Sequence, residues 1–274
     1  MILLGGPVYI EEGAGVEALA RAHAEQGYKS AYCPPVSLDD PDGIKSAEEA
    51  FKKAGVVIAE LGAWRNIIPA DSGKHEEAIA FVSRKLALAD AVGARCCVTY
   101  AGTREYSDKS WGPAAVNFSD DTFDYLVQTV REIIRRAKPA RTRFGLEMMQ
   151  TCPPDSVDSY LDLIKAIDDP RFCVHLDPCN IIYSPRQCYN TAALLRDCVA
   201  RLGRWVVSCH AKDLIPRDGL AVHIDETRPG TGCMDYPVYI EALGKLDRDV
   251  PLLLEHLASR EEYETARDYL ASLI

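Results

Sequence analysis

Phe172-Cys173-Val174-His175-Leu176-Asp177-Pro178-Cys179-Asn180 is a short apolar run that stops in an acid. Pro and Asn follow, and neither continues a buried strand. Three other stretches end the same way: Phe144-Gly145-Leu146-Glu147, Val206-Val207-Ser208-Cys209-His210 and Leu252-Leu253-Leu254-Glu255. Each reads as a hydrophobic strand that delivers one carboxylate or imidazole at its C-terminal end. The intervals are 30 residues from Glu147 to Asp177, 33 from Asp177 to His210 and 45 from His210 to Glu255. One strand–helix unit of a (β/α)8 barrel takes roughly 31 residues, from about 250 over eight units. The first two intervals are one unit each, and the third is one unit plus a long loop. That spacing predicts Glu147, Asp177, His210 and Glu255 on one rim, where carboxylates and a neutral imidazole make a site for a divalent metal ion.

The rest of the chain falls into the same alternation. Strands are expected at 1–5, 29–33, 56–63, 94–100, 143–149, 172–177, 205–210 and 250–255. Helices are expected at 13–26, 44–54, 74–92, 120–138, 156–167, 191–201, 236–246 and 261–270. Strands alternating with helices favour a parallel sheet. Eight such units favour an α/β fold of the closed (β/α)8 TIM barrel type, with residues 1–274 as a single domain. No G-x-G-x-x-G follows the first strand, which weighs against a dinucleotide fold. Two connections are long: 102–118, holding Tyr106 and Trp111, and 211–234. Long loops in compact domains are usually functional or mobile.

Composition narrows the function classes. The chain has 274 residues, 47% of them hydrophobic, and a formal net charge of −10. Proteins that bind nucleic acid usually neutralise phosphates with basic patches, so a nucleic-acid partner is disfavoured. Apolar runs are far shorter than the ~20 residues that span a bilayer, and residues 1–6 lack the basic start of a signal peptide. Ten cysteines, several inside strand-like runs, contain no C-x-x-C pair. They read as reduced, buried thiols in a cytoplasmic protein. Oxygen and nitrogen ligands without thiolate suit Mg2+, Mn2+, Co2+ or Zn2+. Such an ion polarises a carbonyl and acidifies the adjacent C–H, which one carboxylate could deprotonate and another reprotonate.

Taken together, Leu146-Glu147, His175-Leu176-Asp177, His210-Ala211-Lys212-Asp213, Leu253-Leu254-Glu255 and the loop Pro229-Gly230-Thr231-Gly232-Cys233-Met234-Asp235-Tyr236 carry a resemblance. The chain resembles the xylose-isomerase-like barrel superfamily over nearly its whole length. Within it, it is similar to the sugar phosphate isomerase/epimerase group, which includes ketose 3-epimerases, inosose dehydratases and hydroxypyruvate isomerases. The resemblance implies one divalent ion, most often manganese, on Glu147, Asp177, His210 and Glu255. It implies Glu147 and Glu255 as an acid/base pair on opposite sides of the substrate carbon, working through an enediolate. It also implies a small sugar, keto-sugar or polyol as substrate. Trp64 resembles the family's aromatic wall, or is a tryptophan capping the core. Asn66, Trp111, Asn180, Lys212 and Arg228 are expected substrate contacts, with Lys212 or Arg228 as a cationic one. A homo-oligomer is left open.

Departures from the pattern matter as much. Ketose 3-epimerases carry a histidine where this chain has Asn180, which hydrogen-bonds but does not titrate near neutrality. The abasic-site endonucleases of the superfamily hold three zinc ions with further histidines. Strand four here ends Thr99-Tyr100-Ala101, and His223 and Asp225 stand in reversed order. Isomerisation or epimerisation therefore leads. Dehydration by β-elimination, which starts from the same carbanion, is the alternative reaction. A metal-free ligand-binding barrel is the alternative class, and it would pair the carboxylates with Lys or Arg. Alternation places His175 on the face of Asp177, one layer deeper, and Glu60 on the face of Trp64. They are read either as a pair orienting the site or as satisfied buried polar groups. His256 is expected to point away from Glu255's side.

Overall fold

The computed structural model describes residues 1–105 and 109–274; the expected loop residue Tyr106 lies outside them. In chain order the strands are β1 (Ile2–Gly5), β2 (Ser30–Tyr32), β3 (Val57–Gly62), β4 (Cys96–Thr99), β5 (Arg143–Glu147), β6 (Phe172–Leu176), β7 (Val206–Ala211), β8 (Asp213–Arg217), β9 (His223–Thr227) and β10 (Val250–Leu254). Strands β1 to β7 pair in sequence, β7 pairs with β10, and β10 pairs back to β1. All these pairings are parallel, so the sheet closes into the expected eight-stranded α/β barrel.

The helices are α1 (Val16–Glu25), α2 (Pro41–Ala54), α3 (Ser72–Val92), α4 (Asp120–Ala137), α5 (Val157–Ile167), α6 (Pro185–Cys188), α7 (Thr191–Leu202), α8 (Tyr236–Gly244) and α9 (Arg260–Ala271). Two begin earlier than hydrophobic spacing alone suggests. Asp40 accepts the Gly43 amide at 2.9 Å with Pro41 in the first helical position, and Asp71 accepts the Lys74 amide at 2.8 Å. In both, a polar cap starts the helix before its apolar stripe begins, aided in α2 by the proline. Gly93 ends α3 in the left-handed region at φ 76°, where a side chain would be strained. The inward stripes of α3 (Val82, Leu86, Ala89) and α4 (Leu126, Val130, Ile133, Ile134) are fully buried. Each large aliphatic side chain buried this way contributes about 1.5–3 kcal/mol. All ten cysteines are free thiols, and most are buried.

The connection at 211–234 is more ordered than its sequence suggests. β8 and β9 form an antiparallel hairpin outside the barrel. β9 is largely exposed and polar, and β8 runs from buried Asp213 and Leu214 out to exposed Arg217, so no apolar alternation marks them. Both ends of the hairpin are fastened to Asp213, which is fully buried. The Asp213 carboxylate accepts the backbone amides of Leu214 (2.8 Å), Gly230 (3.0 Å), Gly232 (2.9 Å) and Met234 (2.9 Å). Gly232 is required there, since a Cβ would collide with the Leu214 carbonyl and the Asp213 carboxylate.

Replacing Asp213 by Ala leaves four backbone donors without their charged acceptor. Asp213→Ala is therefore expected to lower the unfolding free energy by about 2–3 kcal/mol, read by urea denaturation. A loss under about 0.5 kcal/mol would mean that other contacts hold the hairpin.

Candidate active site and metal centre

The four expected ligands converge. Glu147 is the last residue of β5, Asp177 follows β6, His210 lies near the end of β7 and Glu255 follows β10. One ligand atom from each lies within 4.8 Å of the others. His210 Nδ1 is 3.1 Å from Glu147 Oε1, 3.0 Å from Glu255 Oε2 and 3.6 Å from Asp177 Oδ2. Asp177 is held from below by the backbone, since its Oδ1 accepts the Cys179 amide at 3.1 Å. Asp177, His210 and Glu147 are buried, and Glu255 is mostly so.

Lys212, two residues beyond His210, reaches the same cluster. Its ammonium lies 2.7 Å from Asp177 Oδ2 and 3.2 Å from Glu255 Oε2, and it donates to Asn180 Oδ1 at 3.3 Å. The hairpin adds Glu226, whose Oε1 is 3.6 Å from the same ammonium and whose Oε2 is 2.9 Å from His256 Nδ1. His256 does not turn away as expected. Its φ of 59° breaks the strand alternation, and its Nε2 sits 3.5 Å from Glu255 Oε1. Tyr32, at the end of β2, donates to the Leu254 carbonyl at 3.1 Å, with its ring 6.3 Å from that of His210.

Beneath the cluster lies a second polar layer. Glu60 of β3 is completely buried. Its Oε1 is 3.0 Å from His210 Nε2, and its Oε2 is 2.8 Å from His175 Nε2. Ser208 Oγ donates to Oε2 at 2.7 Å. Glu60 and His175 do meet, and Glu60 also touches a ligand of the upper cluster.

Electrostatics follow from this crowding. Burial raises the Glu147 carboxyl above its usual range, against the pull of His210 and Lys212. Burial also acts to raise Glu255, yet His210 and Lys212 outweigh it and bring the group down to about 2. Asp177 is held far below the carboxylate range against its burial, by Lys212 and then His210. His210 goes the other way: burial lowers it, but Glu60 and Glu255 raise it well above the ordinary histidine value. Asp177 Oδ2 and Glu255 Oε2 are buried and ion-paired to Lys212, and among the described residues neither has a well-formed hydrogen bond. Three carboxylates, two of them presenting such an oxygen, and one imidazole nitrogen fit a divalent cation.

The other expected contacts are spread along the rim. Trp64 is 41% exposed and stacks on Tyr100, with ring centroids 6.0 Å apart and planes within 14°. Asn66 ties two βα loops together: its Oδ1 accepts the Ile68 and Thr103 amides, and its Nδ2 donates to the Thr103 carbonyl. It also lines a hollow of about 240 Å³ with Arg65, Lys109 and Ser110. Trp111 is exposed and Arg228 half-buried. Glu226 and Tyr32 were not foreseen; an aromatic closing a barrel strand was the available signal for Tyr32, and none existed for Glu226.

Comparison with known proteins gives a consistent picture. The family described as xylose isomerase-like TIM barrel matches residues 14–273. No curated protein matches by sequence. Among solved structures, a probable 3-DHS dehydratase involved in petrobactin synthesis, from Bacillus anthracis, has a TM-score of 0.71 at 16% identity, covering 99% of both chains. A D-psicose 3-epimerase from Clostridium cellulolyticum H10, solved with D-tagatose, has a TM-score of 0.68 at 14% identity, covering 98% of both chains. A xylose isomerase-like TIM barrel protein from Mycobacterium smegmatis, in complex with magnesium, has a TM-score of 0.66 at 17% identity, covering 95% of this chain and 89% of that one. At these identities the likeness is one of fold.

Lys212 neutralises two buried acids, and removing one partner of such a pair typically costs about 3–5 kcal/mol. Lys212→Met, measured with chelator present, is expected to lower stability by about that much. An unchanged denaturation midpoint would mean that His210 alone balances the cluster.

Proposed function

This chain belongs to the xylose isomerase-like TIM barrel family, and on that footing we propose that it is a metal-dependent isomerase or epimerase of a small sugar, keto-sugar or polyol. The observation that carries this reading is the meeting of Glu147, Asp177, His210 and Glu255 within 4.8 Å. A divalent ion held by these four, Mn2+ foremost with Mg2+, Co2+ or Zn2+ as alternatives, would polarise a substrate carbonyl and acidify the neighbouring C–H.

The chain's own groups then move the proton. One of Glu147 and Glu255 removes it from the carbon beside the carbonyl, giving an enediolate, and the other returns it. Lys212 and Asn180 bind substrate oxygens beside Asp177, and Trp64 with Tyr100 forms an apolar wall at the rim. Trp111 and Arg228 are proposed as further contacts from the loops. Asn180 does not titrate, so epimerisation at C3 by a histidine-assisted route is disfavoured. Dehydration remains the alternative outcome, because β-elimination begins from the same carbanion; one structural neighbour is described as a probable dehydratase. The crowding of acids disfavours nucleic acid and phosphorylated substrates alike. No helix among the described residues is long and apolar enough to cross a membrane.

One observation favours a second reading. Lys212 already lies within ion-pairing distance of Asp177 and Glu255, as expected of a metal-free ligand-binding barrel.

Chelator-stripped protein is expected to gain about 2.7 kcal/mol of stability at 100-fold Kd of Mn2+, by mass action, read as a rise in melting temperature. No shift with any of the four ions would favour the metal-free reading. Incorporation of solvent deuterium into ketoses, inososes or hydroxypyruvate reports the shared first step. Glu147→Gln and Glu255→Gln are each expected to slow it by at least about 100-fold. Exchange that survives both changes would overturn the acid/base assignment.

A further inference from the structure

We propose that Glu60 is a positioning residue: it dictates which nitrogen of His210 faces the acid cluster, and thereby how tightly the site holds a divalent ion. This rests on the metal-dependent reading above. Glu60 sits on β3 and His210 on β7, which stand four strands apart in the ring of eight and so face each other across the barrel. An ionised carboxylate only accepts hydrogen bonds. The three groups touching Glu60 are therefore its donors: His210 Nε2 at 3.0 Å, His175 Nε2 at 2.8 Å and Ser208 Oγ at 2.7 Å.

The consequence for His210 is specific. With its proton committed to Nε2, the nitrogen left for a cation is Nδ1, which faces Glu147, Asp177 and Glu255. The opposite tautomer would set two acceptors against each other at Glu60 and aim an N–H at the cation. A carboxylate behind a ligating imidazole also increases its donor strength.

His175 completes the clamp. Its ring stands edge-on to that of His210, centroids 4.3 Å apart at 77°, and blocks rotation of the imidazole. Its Nδ1 is buried with no hydrogen-bond partner among the described residues. A histidine retained only to satisfy the core would have both nitrogens bonded; this one is engaged through Glu60 alone.

The test uses wild type, Glu60→Gln and Ser208→Ala, with three readouts: Mn2+ affinity by calorimetry, imidazole 15N–1H spectra of the Mg2+-loaded protein, and the unfolding midpoint in chelator. Wild type is expected to bind one Mn2+ and to show His210 protonated on Nε2, with slow solvent exchange. Glu60→Gln is expected to weaken Mn2+ binding about 10- to 100-fold, and Ser208→Ala a few-fold. Unchanged Mn2+ affinity in Glu60→Gln, with a lowered midpoint in chelator, would show a purely structural Glu60 and overturn the proposal. So would wild-type His210 protonated on Nδ1, a result that needs no variant to fold. Two ions per wild-type chain would make Glu60, His175 and His210 a second metal site instead. Wild type that binds no divalent ion at all would overturn the proposed function itself, and this assignment with it.

Discussion

A carboxylate leaves water only if cations or hydrogen-bond donors face it, and this barrel withdraws four of them at one mouth. Glu60, Glu147, Asp177 and Glu255 come from β3, β5, β6 and β10, and all four lie near His210 of β7. Two residues on, Lys212 projects to the same side and meets Asp177 and Glu255. One strand thus supplies the positive charge and four others the negative. Closing the ring is what brings Glu60 to the others, because an open sheet would leave β3 four strands away from β7. The architecture and the charge balance are therefore the same requirement seen at two scales.

Much of this was legible from residues alone. The four acid- or imidazole-terminated apolar runs announced both the repeat length and the rim, because strand ends and βα loops are local features. Alternation correctly set His175 one layer below Asp177. What escaped were contacts fixed by geometry across the barrel. No pattern in the sequence says that a glutamate on β3 reaches a histidine on β7, since that depends on strand stagger and tilt. At His256 a single positive φ undoes the strand alternation and turns the ring toward Glu255. The β8–β9 hairpin was invisible for a different reason: strands that touch the core only through single residues such as Leu214 carry no sustained apolar period. Helices α2 and α3 began early because Asp40 and Asp71 nucleate them ahead of any hydrophobic stripe.

Structures with this fold include proteins described as an epimerase and as a probable dehydratase, so the barrel alone does not choose a reaction. On the proposed function, the choice in this chain would fall to groups around the acid cluster. Asn180 and Lys212 touch each other beside Asp177, and Glu226 and His256 form an ion-paired edge above Glu255. The first pair is buried. The second is half-exposed, where ion pairs contribute at most about 1 kcal/mol, so it adapts at little energetic cost.

The manner in which Asp213 gathers both ends of the hairpin has its own consequence. Because entry and exit are knotted to one carboxylate, the ribbon between them is pinned at its base by Asp213 and touches the mouth through Glu226. Its tip can lengthen, shorten or change character while the frame beneath keeps its shape. The exposed tip at residues 217–223 is thus the part of this cover whose sequence the frame beneath constrains least.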